Sequence, residues 1–474
     1  MSEINFFRGL FLLAAALVLT ACNPPDFSKL KPDFSAMNKM PVSMLNFGNS
    51  PDDLQIMDTT IVAANSPLLM GAILENSLAN INQGSNFANS LTFAVNSDPD
   101  VIKKRHNIEA QSAAIGVVKA QKDFQVGTTL YGGIEDITDN TKGLAVSINA
   151  SRLIYDGGEL DAKIASSLFA LEAAKLELTA TLDRRAYDLC IKWLDLEMYR
   201  SLQEQVDRRL AVLDPLIDQL GKVAKAGIGD VSRVTAAQRT VAAIRVEKTV
   251  IAEGLAQAQL DFSNAFGAID NAISFDYDFI SNLVPEEIDD KMIQKSPLLK
   301  SQYASYQSAV AKVVSLKAKD GFDVGFEARA MRPFAGSDYS SDESFGLVGR
   351  KTLFNGRMLV SEIKEAEALV EAGMAQMQAS YRHGTRSVQA ATQNISSMEK
   401  AILIARENAK LTSDEIVYLR QQLIIGGSTL DSVLSAEARL YDAESKEIKL
   451  QTEKYKSMLV IASLLGLLSG SIGL

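Results

Sequence analysis

The chain has 474 residues, 47% hydrophobic and 7% aromatic, with 48 Lys and Arg against 58 Asp and Glu, a net charge of −10 and an isoelectric point near 5.0. Its length allows two or three domains, and so acidic a balance lacks the basic footprint that nucleic-acid binding needs. Two histidines, His106 and His383, have no cysteine or second histidine at metal-ligand spacing, and no phosphate loop, dinucleotide fingerprint or nucleophile elbow occurs; no catalytic residue, cofactor or metal is expected.

Residues 1–21 read as a signal peptide. Arg8 supplies the positive start, and Leu10 to Leu19 is an apolar run too short to span a bilayer as a helix. The run ends Leu19-Thr20-Ala21-Cys22, which resembles the lipobox of bacterial lipoproteins. That resemblance implies lipidation of Cys22, and Asn23 in place of an aspartate favours sorting to the outer membrane. The only other cysteine, Cys190, then has no disulfide partner in the chain and reads as a small buried apolar residue. Residues 22–97 read as a tether followed by a short helix near Pro67 to Leu78, because six prolines interrupt any longer element.

Residues 98–267 form a first unit. Pro99 can open a helix with Asp98 as its N-cap, and that helix runs to about Lys122. Phe124 to Tyr131 and Leu144 to Ala150 alternate apolar with small or polar residues, which predicts a hairpin of two strands. A run from about 158 to 222 then has no proline until Pro215, which is expected to kink it near its end. Leu168, Leu171, Leu178, Leu182, Leu189 and Leu196 keep one heptad register, with Lys175, Arg185 and Lys192 interrupting the seam. One helix there is about 97 Å long and must pack against others side by side. Ala226-Gly227-Ile228-Gly229 turns the chain, and Asp230 or Ser232 can cap a return helix to about Phe266.

The same order then recurs. Residues 268–296 link the units, 297–468 form the second and 469–474 are a tail. Pro297 repeats Pro99, and Phe322-Asp323-Val324-Gly325 repeats Phe124-Gln125-Val126-Gly127, at an offset of 198. The segment Leu153 to Gly158 returns as Thr352-Leu353-Phe354-Asn355-Gly356-Arg357, and Val234 to Gln238 returns as Val433 to Glu437, at an offset of 199. The one-residue slip lies between Gly127 and Leu153. Strands are expected over Phe322 to Arg329 and Phe345 to Leu353, flanking a polar loop from Gly336 to Glu343. A long helix is expected from about Arg357 to Leu423, and a last helix from Leu430 to about Leu467. The fold class is therefore mainly α with a small β part, built on long antiparallel coiled-coil helices.

No segment is a spanning helix, but four strands of about ten residues have the length that a tilted transmembrane strand needs. Lipid cannot satisfy an open sheet edge, and four strands cannot close a barrel, for which about eight is the minimum. If these strands cross a membrane, copies must combine, and three copies would give twelve strands.

Tyr155-Asp156-Gly157-Gly158, its copy Phe354-Asn355-Gly356, and the glycine turn followed by Leu430-Asp431-Ser432-Val433-Leu434-Ser435-Ala436-Glu437 resemble the TolC-type outer-membrane channel-tunnel family over roughly residues 60–468. The resemblance implies a homotrimer whose shared twelve-stranded β-barrel crosses outer-membrane lipid and whose α-helical tunnel reaches through the periplasm. It also implies docking to a periplasmic adaptor protein and an inner-membrane transporter, for small-molecule efflux or type I protein secretion. In the family the helix turns at the periplasmic tip close the tunnel through polar contacts and acidic rings; here these are residues 226–235 and 425–435. Ser432 and Ser435 stand where the best-known member has its aspartate ring, Ser428 and Leu423 replace its locking Arg and Tyr, and Arg233 replaces an aspartate. Asp230 and Asp431 are the acidic residues left to line the entrance, and an Arg233–Asp431 pair across the tip is expected. The alternative is a periplasmic coiled-coil adaptor or structural lipoprotein.

Overall fold

The computed structural model describes residues 86–134, 142–225, 231–267, 274–285, 287–334, 336–337, 339–425 and 427–473. The chain divides into units Met1–Ser66 and Pro67–Leu474, and all described residues lie in the second. The signal peptide, Cys22 and the short helix expected near Pro67 fall outside the described residues.

In chain order the elements are α1 (Phe87–Ser97), α2 (Pro99–Ala120), β1 (Gln125–Ile134), β2 (Lys142–Tyr155), α3 (Glu159–Lys225), α4 (Val231–Phe266), α5 (Tyr277–Leu283), α6 (Asp290–Gln294), α7 (Pro297–Ala318), β3 (Asp323–Pro333), β4 (Asp342–Arg350), α8 (Met358–Ile424), α9 (Leu430–Leu465) and α10 (Leu467–Ser471). The duplication holds to the residue in its main helices. α2 and α7 have 22 residues each, α3 and α8 have 67 each, and α4 and α9 have 36 each. α2 and α7 both start on proline, capped by Asp98 and Ser296, whose side chains accept from the Asp100 and Leu299 amides.

A 67-residue helix is about 100 Å long, and a 36- and a 22-residue helix laid end to end come to nearly the same length. That arithmetic is the architecture. α3 packs along α4 and α9 over one half of its length and along α2 and α7 over the other, and α8 packs along α9 and α7. Gly466, just past the end of α9, sits against the Pro297 ring that opens α7. The helices thus make a layer of four staves, two continuous and two jointed. α3 runs through Pro215 without ending.

The heptad seam of α3 is buried only in part. Leu182, Leu189 and Leu196 are 5%, 9% and 1% exposed, whereas Leu168 is 46% exposed. The reason is the cover. Near the joint, α1, α5 and α10 lie over the layer and bury Trp193 among Phe87, Phe262 and Phe266, with ring centroids 4.9, 5.2 and 5.0 Å away; nearer the sheet no such cover is present among the described residues. Arg185, an interruption of the seam, pairs with Asp98, Asp100 and Asp188. Cys190 is fully buried and free, and burial pushes its thiol up, as befits an inert apolar residue.

Asp183 is buried on α3, where its carboxylate accepts from the Ser469 amide and hydroxyl, both at 2.9 Å. It thereby holds α10 against α3. Burial, only partly offset by these hydrogen bonds, pushes its pKa up from 3.8 to about 6. A carboxyl with a higher pKa in the fold than in the unfolded chain favours folding fully below pH 4, and that contribution is lost as pH rises through 6. Asp183→Asn keeps an acceptor for the amide and cannot ionise. It should flatten the pH dependence of the thermal midpoint between pH 4 and 7 and raise the midpoint at pH 7.5. A midpoint at pH 7.5 equal to or below that of the parent chain would refute this.

The two long hairpins are tied by ion pairs at equivalent places with opposite sign. Asp207 on α3 meets Lys248 on α4 at 2.6 Å; 199 residues on, Arg406 on α8 meets Glu447 on α9 at 2.8 Å. The entry turns of α3 and α8 also differ. Gly157 and Gly158 take φ of 66° and 89°, and Asp156 accepts from the Gly158 and Leu160 amides. In the copy Gly356 keeps φ 67°, but Arg357 sits at φ 66° with no side-chain cap, a left-handed conformation that a Cβ disfavours.

Several expectations are corrected. Helix α1 is additional to the expected elements, as are α5, α6 and α10. β4 begins inside the polar loop and ends at Arg350, so Thr352 and Leu353 lie outside it and Leu353 is 89% exposed. β2 runs five residues past Ala150, with a register shift between Leu153 and Tyr155.

Candidate functional site

The sheet has strand order β1-β2-β3-β4, all antiparallel. Successive residues of a strand alternate faces and paired residues share one, so the register sorts the side chains. One face carries Val126, Leu130, Ile148, Phe326, Phe345 and Leu347. Most of these are well exposed, Phe345 at 86%, which is the reverse of a water-soluble sheet. The opposite face carries Thr129, Ser147, Asn149, Ser151, Glu327 and Arg350, the last two ion-paired. Charge on the apolar face is confined to its ends: Arg332 with Glu343 near the β3–β4 loop, and Arg152 over the Phe124 ring, 5.1 Å away, at the helical end. Ten residues extend about 34 Å, which at a 45° tilt matches a band of about 25 Å. β1 and β4 are each paired on one side only.

The helical layer is open in the same way. At one edge α8 exposes Ile404, Leu411 and Tyr418, and Ile425 just past its end continues the spacing of seven; the four are 67%, 62%, 66% and 81% exposed. At the other, α4 exposes Val246 and Val250, at 66% and 62%. No described helix is long and apolar enough to cross a membrane, and no described group of His, Cys, Asp and Glu could hold a metal ion.

At the turn between α8 and α9, the Gly427 amide donates to Gln422 O at 2.8 Å and Thr429 caps α9. Thr429 Oγ1 accepts from the Ser432 amide at 3.3 Å and shares a 2.9 Å hydrogen bond with the Ser432 hydroxyl. Ser432 is thus engaged by the cap, which sequence reasoning missed although Thr before an apolar helical run is a cap signal. Asp431 is exposed in the first turn of α9, where a negative charge suits the helix dipole, and Ser435 is exposed one turn on. Below the cap, Leu430, Val433 and Leu434 are buried, and Arg420 pairs with Glu437 and Arg439 with Glu415 across the hairpin. Ser232 lies exposed at the start of α4. Asp230 and the side chain of Arg233 are outside the described residues, and so is the expected Arg233–Asp431 pair.

An open four-stranded sheet with its apolar face outward, joined to a four-stave helical layer with two open edges, is the fold of TolC-type outer-membrane channel subunits. Residues 290–467 match the outer membrane efflux protein family. Among solved structures, CusC superposes with a TM-score of 0.70 at 13% identity, covering 81% of this chain and 94% of that one. VceC from Vibrio cholerae gives 0.69 at 16%, covering 80% and 96%, and the CmeC outer membrane channel of Campylobacter jejuni 0.68 at 11%, covering 81% and 89%. The search of curated proteins returned no match. The family resemblance read from the sequence is borne out, as is the mainly α fold with four strands.

Proposed function

We propose that the chain is the outer-membrane channel of a tripartite export system and conducts substrates passively from a periplasmic adaptor protein and inner-membrane transporter to the exterior. The observation that carries this reading is the pair of open edges in register. The sheet ends on unpaired β1 and β4, and the helical layer ends on the apolar stripe of α8 and on α4. Three copies closing edge to edge make a twelve-stranded barrel continuous with a twelve-stave tunnel. The duct itself needs no catalytic residue. The match to efflux proteins favours small-molecule efflux over protein secretion, and lipidation of Cys22 adds an anchor to the barrel.

The purified protein should run as a trimer, three times the mass of its processed chain, and open ion channels in planar bilayers. A monomer without conductance would sink the reading. In the same recordings, Asp431→Ala should lower the preference for cations over anions, since it removes three carboxylates from the entrance. An unchanged selectivity would take Asp431 out of the conducting path.

A further inference from the structure

The joint between α9 and α7 holds a groove of about 1130 Å³ bounded by α3, α8, the first turn of α7 and the last turn of α9. Its charges do not cancel. Two carboxylates face it, but Glu177 is already held by Lys104 at 2.6 Å and Asp188 by Arg185 at 3.7 Å. Three arginines also face it, Arg184 from α3 and Arg382 and Arg386 from α8, and none has a carboxylate partner among the described residues. The opening turn of α7, with Pro297 first, points the positive end of a 22-residue helix into the same space. Between polar side chains such as Gln376, Ser380 and His383, the wall also carries an apolar strip: Leu298 is 46% exposed there, beside the partly buried Val460 and Leu464.

Guanidinium groups bind carboxylate or phosphate through paired N–H donors, and apolar side chains favour a hydrocarbon tail in proportion to the area it buries. We propose that this groove is a binding site for a small amphipathic anion, an oxyanion head on Arg184, Arg382 and Arg386 with an apolar tail against Leu298, Val460 and Leu464. The ligand reaches it from the aqueous side. The 22 residues of α7 put the groove about 33 Å from the sheet, beyond the reach of a lipid seated in a bilayer around the strands. Its volume is of the size of small-molecule sites. The site needs only these described residues of one chain, and it stands whether or not the duct exports anything.

Octyl phosphate is a suitable probe. Full-length protein in phosphatidylcholine nanodiscs, titrated calorimetrically against empty discs, should bind one octyl phosphate per chain. Octanol and inorganic phosphate, each carrying half of the recognition, should bind at least about tenfold more weakly. The Arg184→Gln, Arg386→Gln double variant should lose about tenfold in affinity, and the double Lys variant should recover part of it while losing the paired geometry. Circular dichroism and oligomer mass check that each variant is folded. Non-saturating uptake, equal affinity for octanol, or unchanged binding by a folded Gln variant would overturn the site. Tighter binding of an acidic leucine-containing peptide would overturn the small-anion assignment in favour of a protein partner.

Discussion

Gly466→Ala should lower the stability of the chain by about 2–5 kcal/mol, the sum of a left-handed backbone penalty and a steric one. Gly466 has φ 74° and ends α9, its amide turning back to Ala462 and Ser463. A Cβ there would lie 2.5 Å from both Cδ and Cγ of Pro297. That neighbour is a ring at the first position of α7 and cannot rotate away, so either α7 or the end of α9 must move. Movement would also pull on Asp183, whose Oδ2 is 3.5 Å from the same point. The expected result is a lower heat-dissociation midpoint, with the octyl phosphate groove weakened because the joint forms one of its walls. A midpoint unchanged within error would show that α9 and α7 are not held end to end.

The second large effect is expected at Trp193. It is fully buried in the aromatic cluster that fastens α1 and the 275–283 segment to the long helices, so Trp193→Ala should cost about 3–5 kcal/mol. Trp193→Phe should cost much less than its lost volume suggests. The indole Nε1–H has no hydrogen-bond partner among the described residues, and replacing the residue removes that unpaired donor along with the extra ring. Urea midpoints of the two variants test the difference. Equal losses would place a hidden partner on Nε1.

Much of this architecture was legible because it is written in long periods. A helix of 67 residues declares itself by the absence of breakers, and its duplicate confirms it. The strands were legible as alternation, though not in extent: β2 continues through Ser151 to Tyr155 because β3 offers a paired partner there, which no local pattern announces. The short helices were missed for a similar reason. α1 carries Asn86 as its cap and buries Phe87, Leu91 and Val95, a helical spacing obscured by the prolines upstream. α5 and α6 are shorter than the window in which helical periodicity can be read. Arg357 shows the limit most plainly. Alignment with Gly158 predicts a glycine-like conformation at a residue that does not favour it, and the backbone adopts it anyway. The groove was illegible altogether, since Arg184 and Arg386 lie far apart in the chain and each reads singly as solvated charge.

The Asp207–Lys248 and Arg406–Glu447 pairs carry opposite signs at equivalent places in the two hairpins. Helices of identical length invite exchange, for α3 could take α9 as its return partner and α8 could take α4. In the native hairpin register such an exchange would bring Asp207 against Glu447 and Lys248 against Arg406, like charge on like. A native pair at this exposure is worth little by itself, but the wrong combinations are penalised by repulsion at both places. The signs therefore act as a key that tells two otherwise interchangeable halves apart while the chain is still choosing which part of itself to fold against.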